Sequence, residues 1–237
     1  MYVFSFDIES EIAHFRDPFT HSFFNTFVAP PPHTILGLLG NCLGYNEVDT
    51  ERLGENIILG CIVIKLKGYL KDLAIIENQK NNQRTKTPRT RKFLVNPLYR
   101  IFTFSKDFMR LEKIQYSIYH PKRVPYLGIS DCLACISNIS NILEAKRIQT
   151  NEIESLINLD KLNENKKVNT KFNTKIKDPL LLTVYPFIAS CPTKYILNNN
   201  GRSPINFHRI LMSVNCIIEF KHPLDVYQIN GDKVFPL

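Results

Sequence analysis

The chain has 237 residues, of which 44% are hydrophobic and 22% are charged, which is typical of one large globular domain or of one domain with an appendage. No apolar run approaches the ~20 residues of a membrane helix, so no membrane partner is expected. The first residues carry acids and no basic region of a signal peptide, and six cysteines are too few for a small secreted framework. We therefore expect a protein of the reducing cytoplasm.

The formal net charge of +8 is concentrated in two segments. Residues 80–92 hold six basic side chains and no acid, and residues 161–177 hold six lysines and one glutamate. The rest of the chain is mildly acidic. Such localisation favours a polyanion-binding arm at 80–92, whose arginines match phosphate geometry, over a generally basic protein. Two solvated loops are the alternative, and the Lys/Asn-rich segment 161–177 is more typical of a mobile loop.

In the first half of the chain, alternating apolar residues predict a strand over Tyr2–Ile8. After the three prolines at 30–32, His33 and Thr34 are candidate caps for a helix from Ile35 to about Leu43. The nearly continuous apolar run Ile57–Leu66 predicts a central strand that extends into a hairpin arm.

Beyond the basic segment, residues 93–104 predict another strand, interrupted by Asn96 and Pro97. Helical spacing over 105–116 follows, with Ser105 as its N-cap, and a fourth strand is expected within Ile129–Ile142. The resulting β-α-β-β-α-β order is that of ferredoxin-like and RNA-recognition modules, so the fold class is α+β.

The last hundred residues predict a smaller β-rich region. Strands are expected over 183–189, 210–220 and 226–235, the last with a hairpin turn at Asn230-Gly231. We therefore expect two parts, residues 1–143 and residues 144–237.

Three glycines, Gly37, Gly40 and Gly44, fall within one sector of the predicted helix. Interior glycines cost ~1 kcal/mol each relative to alanine, so the pattern indicates close approach by another backbone or a ligand, or ordinary packing of the helix on the sheet. Cys132 and Cys135 form a lone C-x-x-C without a second ligand pair, so we expect buried apolar cysteines and no metal site.

The triplet His14-Phe15-Arg16 follows the first strand. An extended backbone would place His14 and Arg16 on the same side, where they could grip a phosphate while Phe15 stacks a base. An ordinary loop anchored by Phe15 is the alternative.

These motifs resemble a known family. The His-Phe-Arg triplet is followed by Pro-Pro-His-Thr-Ile-Leu-Gly-Leu-Leu-Gly-Asn-Cys-Leu-Gly at 31–44, by Val-Asn-Pro-Leu-Tyr-Arg at 95–100, and by Pro-Tyr-Leu-Gly-Ile-Ser at 125–130. Together these blocks resemble the fifth CRISPR-associated (Cas) family, a RAMP-superfamily subunit of type I Cascade, and most closely its I-B branch. The likeness covers residues 2 to about 135, and the C-terminal hundred residues match only loosely.

The resemblance implies a ferredoxin-like RAMP domain with an inserted β-hairpin thumb near residues 67–92. It also implies a non-catalytic subunit that binds and caps the 5′ handle of the CRISPR RNA (crRNA) in antiviral defence. Its expected partners are the handle, the backbone subunit and the large subunit of the complex, and target DNA through the complex. No cofactor is implied.

A single-stranded handle is bound by charge and stacking. The candidate RNA-binding residues are His14, Phe15, Arg16, Thr34, Arg84, Lys86, Arg89, Arg91, Lys92, Arg100 and Tyr126. Tyr99 is a further stacking candidate, although Tyr99 and Arg100 alternate on a strand and only one can face the RNA. Tyr126 has an alternative role in a turn that supports the fold.

Two other functions remain open. A metal-independent endoribonuclease that processes precursor crRNA would need a general base such as His14, together with a lysine or tyrosine. A different RNA-binding or assembly protein of ferredoxin-like fold is the third possibility. The sequence contains no recognisable catalytic motif, so the non-catalytic subunit is the function that we predict.

Overall fold

The computed structural model describes residues 1–20, 23–80, 83–165, 172–198 and 201–237. The chain has a mixed, strand-rich α/β fold. Across the described ranges the helices are α1 (Pro32–Leu43), α2 (Glu47–Gly54), α3 (Phe108–Tyr119) and α4 (Leu159–Asn165). The strands over the same ranges are β1 (Tyr2–Ser10), β2 (Ile12–Ala13), β3 (Ile58–Lys65), β4 (Gly68–Lys80), β5 (Gln83–Val95), β6 (Leu98–Ser105), β7 (Ala134–Ser137), β8 (Leu143–Glu144), β9 (Lys146–Ile153), β10 (Ile157–Asn158), β11 (Phe172–Ile176), β12 (Val184–Asn198), β13 (Gly201–Val214), β14 (Cys216–Ile229) and β15 (Asp232–Val234).

The main sheet has the strand order β3-β6-β1-β7, and β8 also pairs with β1. Its neighbouring strands are antiparallel. The strands predicted over Tyr2–Ile8 and Ile57–Leu66 correspond to β1 and β3, and β7 lies within the predicted range 129–142. The strand predicted over residues 93–104 is divided at Asn96 and Pro97 into the end of β5 and β6, which belong to different sheets. Without β4 and β5, the elements that build this sheet follow in the predicted order of strand, helix, strand, strand, helix, strand.

Strand β3 lies at the end of this order, so the prediction that it is central is wrong. Its apolar sequence has another cause, because the C-terminal part covers it. The carbonyl of Leu59 accepts a hydrogen bond from the N–H of Leu237, and the carbonyl of Cys61 accepts one from Leu156. The segments that contain Leu156 and Leu237 therefore cover the outer edge of β3 and exclude water from a strand that would otherwise be half exposed.

Both predicted helix caps are corrected. Helix α1 begins at Pro32 and has Pro31 as its N-cap, without a side-chain cap, so His33 and Thr34 lie inside its first turn. Proline suits this position because its missing N–H would have no partner there. Helix α3 is capped by Asp107, whose carboxylate accepts a backbone N–H three residues further on. Ser105 instead accepts the N–H of Asp107 through its hydroxyl.

A long hairpin, the basic hairpin, is formed by β4 and β5 and comprises residues 68–95. Its strands pair from Gly68 with Val95 to Lys80 with Gln83, and residues 81 and 82 lie outside the described ranges. At its base, β5 pairs with β2. Composition predicted a basic arm over residues 80–92, and the described residues of this segment lie in the hairpin.

The C-terminal part adds two sheets, β10-β13-β12 and a second in which β14 pairs with β9, β11 and β15. The strand predicted over 183–189 lies in β12, whereas residues 210–220 are divided between β13 and β14 by Asn215, which has a positive φ of 58°. Asn230 and Gly231 connect β14 to β15, as predicted. In the segment 161–177, residues 166–171 lie outside the described ranges.

One hydrophobic core runs through both parts of the chain. It joins Phe4 and Leu39 to Met212, Val214 and Leu237, all buried in one cluster. The division at residue 143 remains a prediction, and the shared core means that the two parts are packed together.

A buried polar network also joins the two parts. The guanidinium of Arg100 donates to both carboxylate oxygens of Asp7, at 2.7 and 2.9 Å, and to Asp232 of β15 at 3.1 Å. The side chain of Asn138 donates to the same carboxylate of Asp7 at 2.9 Å. The hydrogen bond with Asp7 raises the pKa of Arg100 above its ordinary value, so the guanidinium stays charged.

We expect Arg100→Met to lower the free energy of unfolding by about 3 kcal/mol, because it leaves the buried Asp7 carboxylate without its cation. The matched control is Arg52→Met, which removes an exposed pair with Asp49 and should change stability by less than about 1 kcal/mol. Urea denaturation measures both. If Arg100→Met lowers the free energy of unfolding by no more than Arg52→Met does, the structural role of Arg100 is contradicted.

Candidate nucleic-acid interface

Residues from three of the sequence blocks line one cleft of about 990 Å³. The His14–Arg16 triplet, the segment 31–38 at the start of α1, and the segment 126–129 all contribute to its walls. The C-terminal part closes it with Thr193, Lys194 and Tyr195. The fold therefore brings together residues that are more than 100 positions apart in sequence.

The cleft depends on a close approach at Gly128. This residue has a φ of +89°, and a Cβ placed there would lie 1.9 Å from the carbonyl oxygen of His14. No side chain fits in that space, and the left-handed conformation also favours glycine. Gly128 thus holds the segment 126–129 directly against the backbone of the His14–Arg16 triplet.

His14 connects this contact to the basic hairpin. Its imidazole is 3% exposed, and Nδ1 donates to the carbonyl oxygen of Lys92 at 2.8 Å. Burial lowers the pKa of His14 from its ordinary value. The prediction that His14 reads or clamps RNA is corrected, because this side chain is packed inside and anchors the base of the hairpin.

Both predicted stacking residues of the first strands are also in the core. The ring of Phe15 is 2% exposed and lies 5.8 Å from the fully buried ring of Tyr99, centroid to centroid. The hydroxyl of Tyr99 donates to the carbonyl of Val28 at 2.9 Å. Neither ring has a free face, so the stacking predictions for Phe15 and Tyr99 are corrected. Of the alternatives for the triplet, the anchored loop is the observed one.

Arg100 is likewise not free to clamp RNA, since Asp7 and Asp232 bind its guanidinium. The prediction allowed only one of Tyr99 and Arg100 to face the RNA. The alternation is observed, but the partly exposed guanidinium of Arg100 is bound by two carboxylates.

Arg16 remains exposed and lies beside the hairpin. Its guanidinium is 4.6 Å from the centroid of the Phe24 ring. Phe24 pairs with β5, because its N–H donates to Thr90 and its carbonyl accepts from Lys92. Arg16 therefore extends the positive surface of the hairpin toward the cleft.

The register distributes the predicted hairpin cations over two faces. Lys86 and Lys92 share one face with Lys71, whereas Arg89 and Arg91 lie on the other. Arg84 falls on the first face by register, and its side chain lies outside the described part. A strand alternates its side chains, so a single phosphate backbone on one face would meet only part of this set.

Arg91 and Lys92 interact with residues of the neighbouring strand. Arg91 pairs with Asp72 at 3.1 Å, and its Nε is buried without a hydrogen-bond acceptor among the described residues. Lys92 lies with Nζ 3.8 Å from the ring centroid of Tyr69, and burial lowers its pKa.

His33 at the start of α1 is a neutral polar group in the cleft. Its Nδ1 donates to the carbonyl of Pro192 at 2.7 Å, and the hydroxyls of Thr34 and Tyr195 lie 3.3 and 3.4 Å from Nε2. Burial lowers the pKa of His33 to about 4. The predicted site residue Thr34 thus supports His33 as well as lining the cleft.

Tyr126 lines the cleft with a half-buried side chain, and its backbone bridges to Leu133. Both of its predicted roles fit this position. In the neighbouring C-x-x-C, Cys132 is buried and Cys135 is exposed, so the expectation of two buried cysteines is wrong for Cys135. Among the described residues, no group of three or more potential ligands could hold a metal ion, and no helix is long and apolar enough to cross a membrane.

The three glycines of α1 have different environments. A Cβ at Gly40 would lie 2.3 Å from Thr50 Oγ1, so Gly40 allows α1 to pack on α2. Gly44 has a φ of +72° and ends the helix as its C-cap. Gly37 has nothing within 4 Å of such a Cβ and lines the cleft. The three glycines therefore do not form one close-packed face. Gly40 makes a packing contact, Gly44 caps the helix, and Gly37 faces open space.

The comparisons with known proteins agree with this fold. A model of the family described as CRISPR-associated protein (Cas_Cas5) matches residues 3–180. A CRISPR protein from Archaeoglobus fulgidus is 13% identical, with a TM-score of 0.57 over 99% of this chain and 98% of its own. A chain of a CRISPR RNA-guided surveillance complex is 10% identical, with a TM-score of 0.52 over 98% of this chain and 91% of its own. No curated protein matches the chain.

We expect Gly40→Ala to destabilise the protein by about 1–3 kcal/mol, because the new methyl group overlaps the Thr50 side chain as far back as its Cβ. Gly37→Ala is the matched control on the same helix. It meets open space and should raise stability by up to ~1 kcal/mol through helix propensity. Thermal denaturation compares the two, and equal shifts in Tm would argue against the packing contact.

Proposed function

Because the chain belongs to the CRISPR-associated protein (Cas_Cas5) family, we propose that it is a non-catalytic subunit of a type I CRISPR surveillance complex (Cascade). It binds and caps the 5′ handle of the crRNA in the cytoplasm, in antiviral defence. The sequence blocks resemble the I-B branch of that family most closely.

The fold supports this proposal. The sheet order β3-β6-β1-β7, with one helical segment after β1 and one after β6, suits a ferredoxin-like RAMP domain. The basic hairpin enters between β3 and β6. We assign it to the thumb that the family resemblance implies.

The basic hairpin is the single observation that carries RNA binding. It contains seven basic and two acidic residues, and all five charges on β5 are positive. An exposed cationic arm attracts a polyanion and exchanges its condensed counterions for protein contacts. Arg16 lies at the foot of the arm and adds to the same positive surface.

The position of His14 favours the non-catalytic subunit over the endoribonuclease. A general base needs access to the 2′-hydroxyl that it deprotonates. The imidazole of His14 is buried and its Nδ1 is occupied by Lys92. The hydroxyls of Thr34 and Tyr195 lie within hydrogen-bond distance of His33 Nε2, so both ring nitrogens of His33 are engaged within the protein.

Exposed apolar side chains supply surfaces for the protein partners. Met109, Tyr116 and Tyr119 are exposed on α3, and Leu180 and Ile188 are exposed in the C-terminal part. Groups of this kind mark protein interfaces. The backbone subunit and the large subunit are the proposed occupants, and target DNA reaches this protein through the assembled complex.

The test of RNA binding is the joint replacement of Arg84, Lys86, Arg89 and Arg91 by alanine. Affinity for 5′-handle RNA at 0.15 M salt should fall by about 10- to 100-fold, and the slope of log K against log salt should become shallower by ~0.7 for each phosphate that the variant no longer binds. Fluorescence anisotropy with labelled handle RNA at four salt concentrations measures both quantities.

A matched control removes the same charge elsewhere, through joint replacement of Lys106, Lys122, Lys146 and Lys221, all exposed and outside the hairpin. This variant should keep a steep salt dependence. If both variants behave alike, net charge alone drives binding and the hairpin has no specific role.

A further inference from the structure

Three exposed phenylalanines lie in or against the loop after the His14–Arg16 triplet, and sequence reasoning did not identify them. Phe19 and Phe23 belong to the loop after the His14–Arg16 triplet and are 58% and 49% exposed, and Phe207 of β13 is 37% exposed. The rings of Phe19 and Phe207 lie 5.1 Å apart, centroid to centroid, at an interplanar angle of 41°. We call Phe19, Phe23 and Phe207 the phenylalanine surface.

The loop that presents these rings is held by hydrogen bonds. A carboxylate oxygen of Asp17 accepts the N–H of Phe19 at 3.0 Å. The N–H of Asp17 donates to the carbonyl of Asn25, and Thr20 accepts the N–H of Asn25 through its hydroxyl. These bonds involve residues on both sides of positions 21 and 22, which lie outside the described ranges, and Phe19 contacts Phe207 from the first side.

The loop that carries Phe19 and Phe23 also carries Arg16, which lies at the foot of the hairpin. Arg16 precedes Phe19 by three residues, and its guanidinium lies over the ring of Phe24, which pairs with β5 beside Arg91. These contacts therefore lead from the hairpin through Phe24 to Arg16, at the start of the loop that presents Phe19.

We propose that the phenylalanine surface stacks an unpaired nucleobase of the RNA strand bound by the hairpin. This inference rests on the proposed function. In this proposal the exposed rings take the stacking role that the sequence assigned to Phe15 and Tyr99, because an exposed ring can offer a face to a base and a buried ring cannot.

The adjoining charge favours a nucleic acid over a protein as the occupant. A protein interface is typically depleted of charge at its centre, whereas single-stranded nucleic acid is bound where aromatic rings and cations alternate. Phenyl rings carry no hydrogen-bonding groups, so the stacking should tolerate any of the four bases.

The test combines Phe19→Ala and Phe207→Ala in the full chain, with labelled handle RNA as the probe. Affinity should fall about tenfold, the size expected for a single base–aromatic stack. The salt slope should stay unchanged, because the phosphate-binding cations are all retained. Phe19→Tyr with Phe207→Tyr keeps the rings and should keep the affinity. Tyr185→Ala removes a comparably exposed ring from β12 and is the control.

A set of RNAs with one abasic position each completes the design. One abasic position should weaken binding by the wild-type chain and have no further effect on the alanine variant. If the alanine variant binds like the wild type, or if every abasic position weakens both proteins equally, the stacking proposal is overturned. Loss of association with a protein subunit without loss of RNA affinity overturns it as well.

These results are distinguishable from failure of the proposed function. If the hairpin variant loses RNA affinity while the phenylalanine variant does not, the RNA-binding function stands and the stacking site falls. If the wild-type chain does not bind handle RNA, both fall.

Discussion

The close approach between Gly128 and the backbone of His14 is the contact on which the arrangement of the surface depends. It fixes the segment 126–129 against the loop after β1, and the His14 imidazole then binds the carbonyl of Lys92 at the base of the hairpin. A side chain at position 128 would separate these elements. Since the hairpin, Arg16 and the cleft all adjoin this contact, a small steric requirement sets the geometry of the whole cationic face.

Charge is divided between an ion-paired network around Arg100 and an arm on which basic residues outnumber acidic ones. Arg100 is bound by Asp7 and Asp232, and these bonds connect the main sheet to the C-terminal part. On β5, in contrast, every charged residue is basic. Arg100 contributes to folding through its two carboxylate partners, whereas the excess of positive charge on the arm attracts a polyanion. This division suits the proposed RNA-binding subunit, which needs a stable body and a cationic arm at once.

Much of the fold could be predicted because it follows local patterns. Alternation over Tyr2–Ile8, the turn at Asn230-Gly231 and the basic composition of 80–92 each have a short-range cause, and the sequence blocks that line the cleft were recognisable in order. What could not be predicted depends on distant partners. Phe15 is buried and Phe19 is exposed although both are phenylalanines in one segment, because only the fold decides which ring meets the core. The contributions of Pro192, Tyr195 and Phe207 come from a region whose sequence resembles the family only loosely.

The central claim is that this chain binds the 5′ handle of the crRNA and leaves it intact. The most direct measurement incubates the purified chain with labelled repeat RNA in the presence of a chelator, and analyses the same sample on a binding gel and on a denaturing gel. Our account predicts a shifted complex that contains full-length RNA. A single cut within the repeat that is lost in His14→Ala would contradict it and would identify the chain as a processing endoribonuclease.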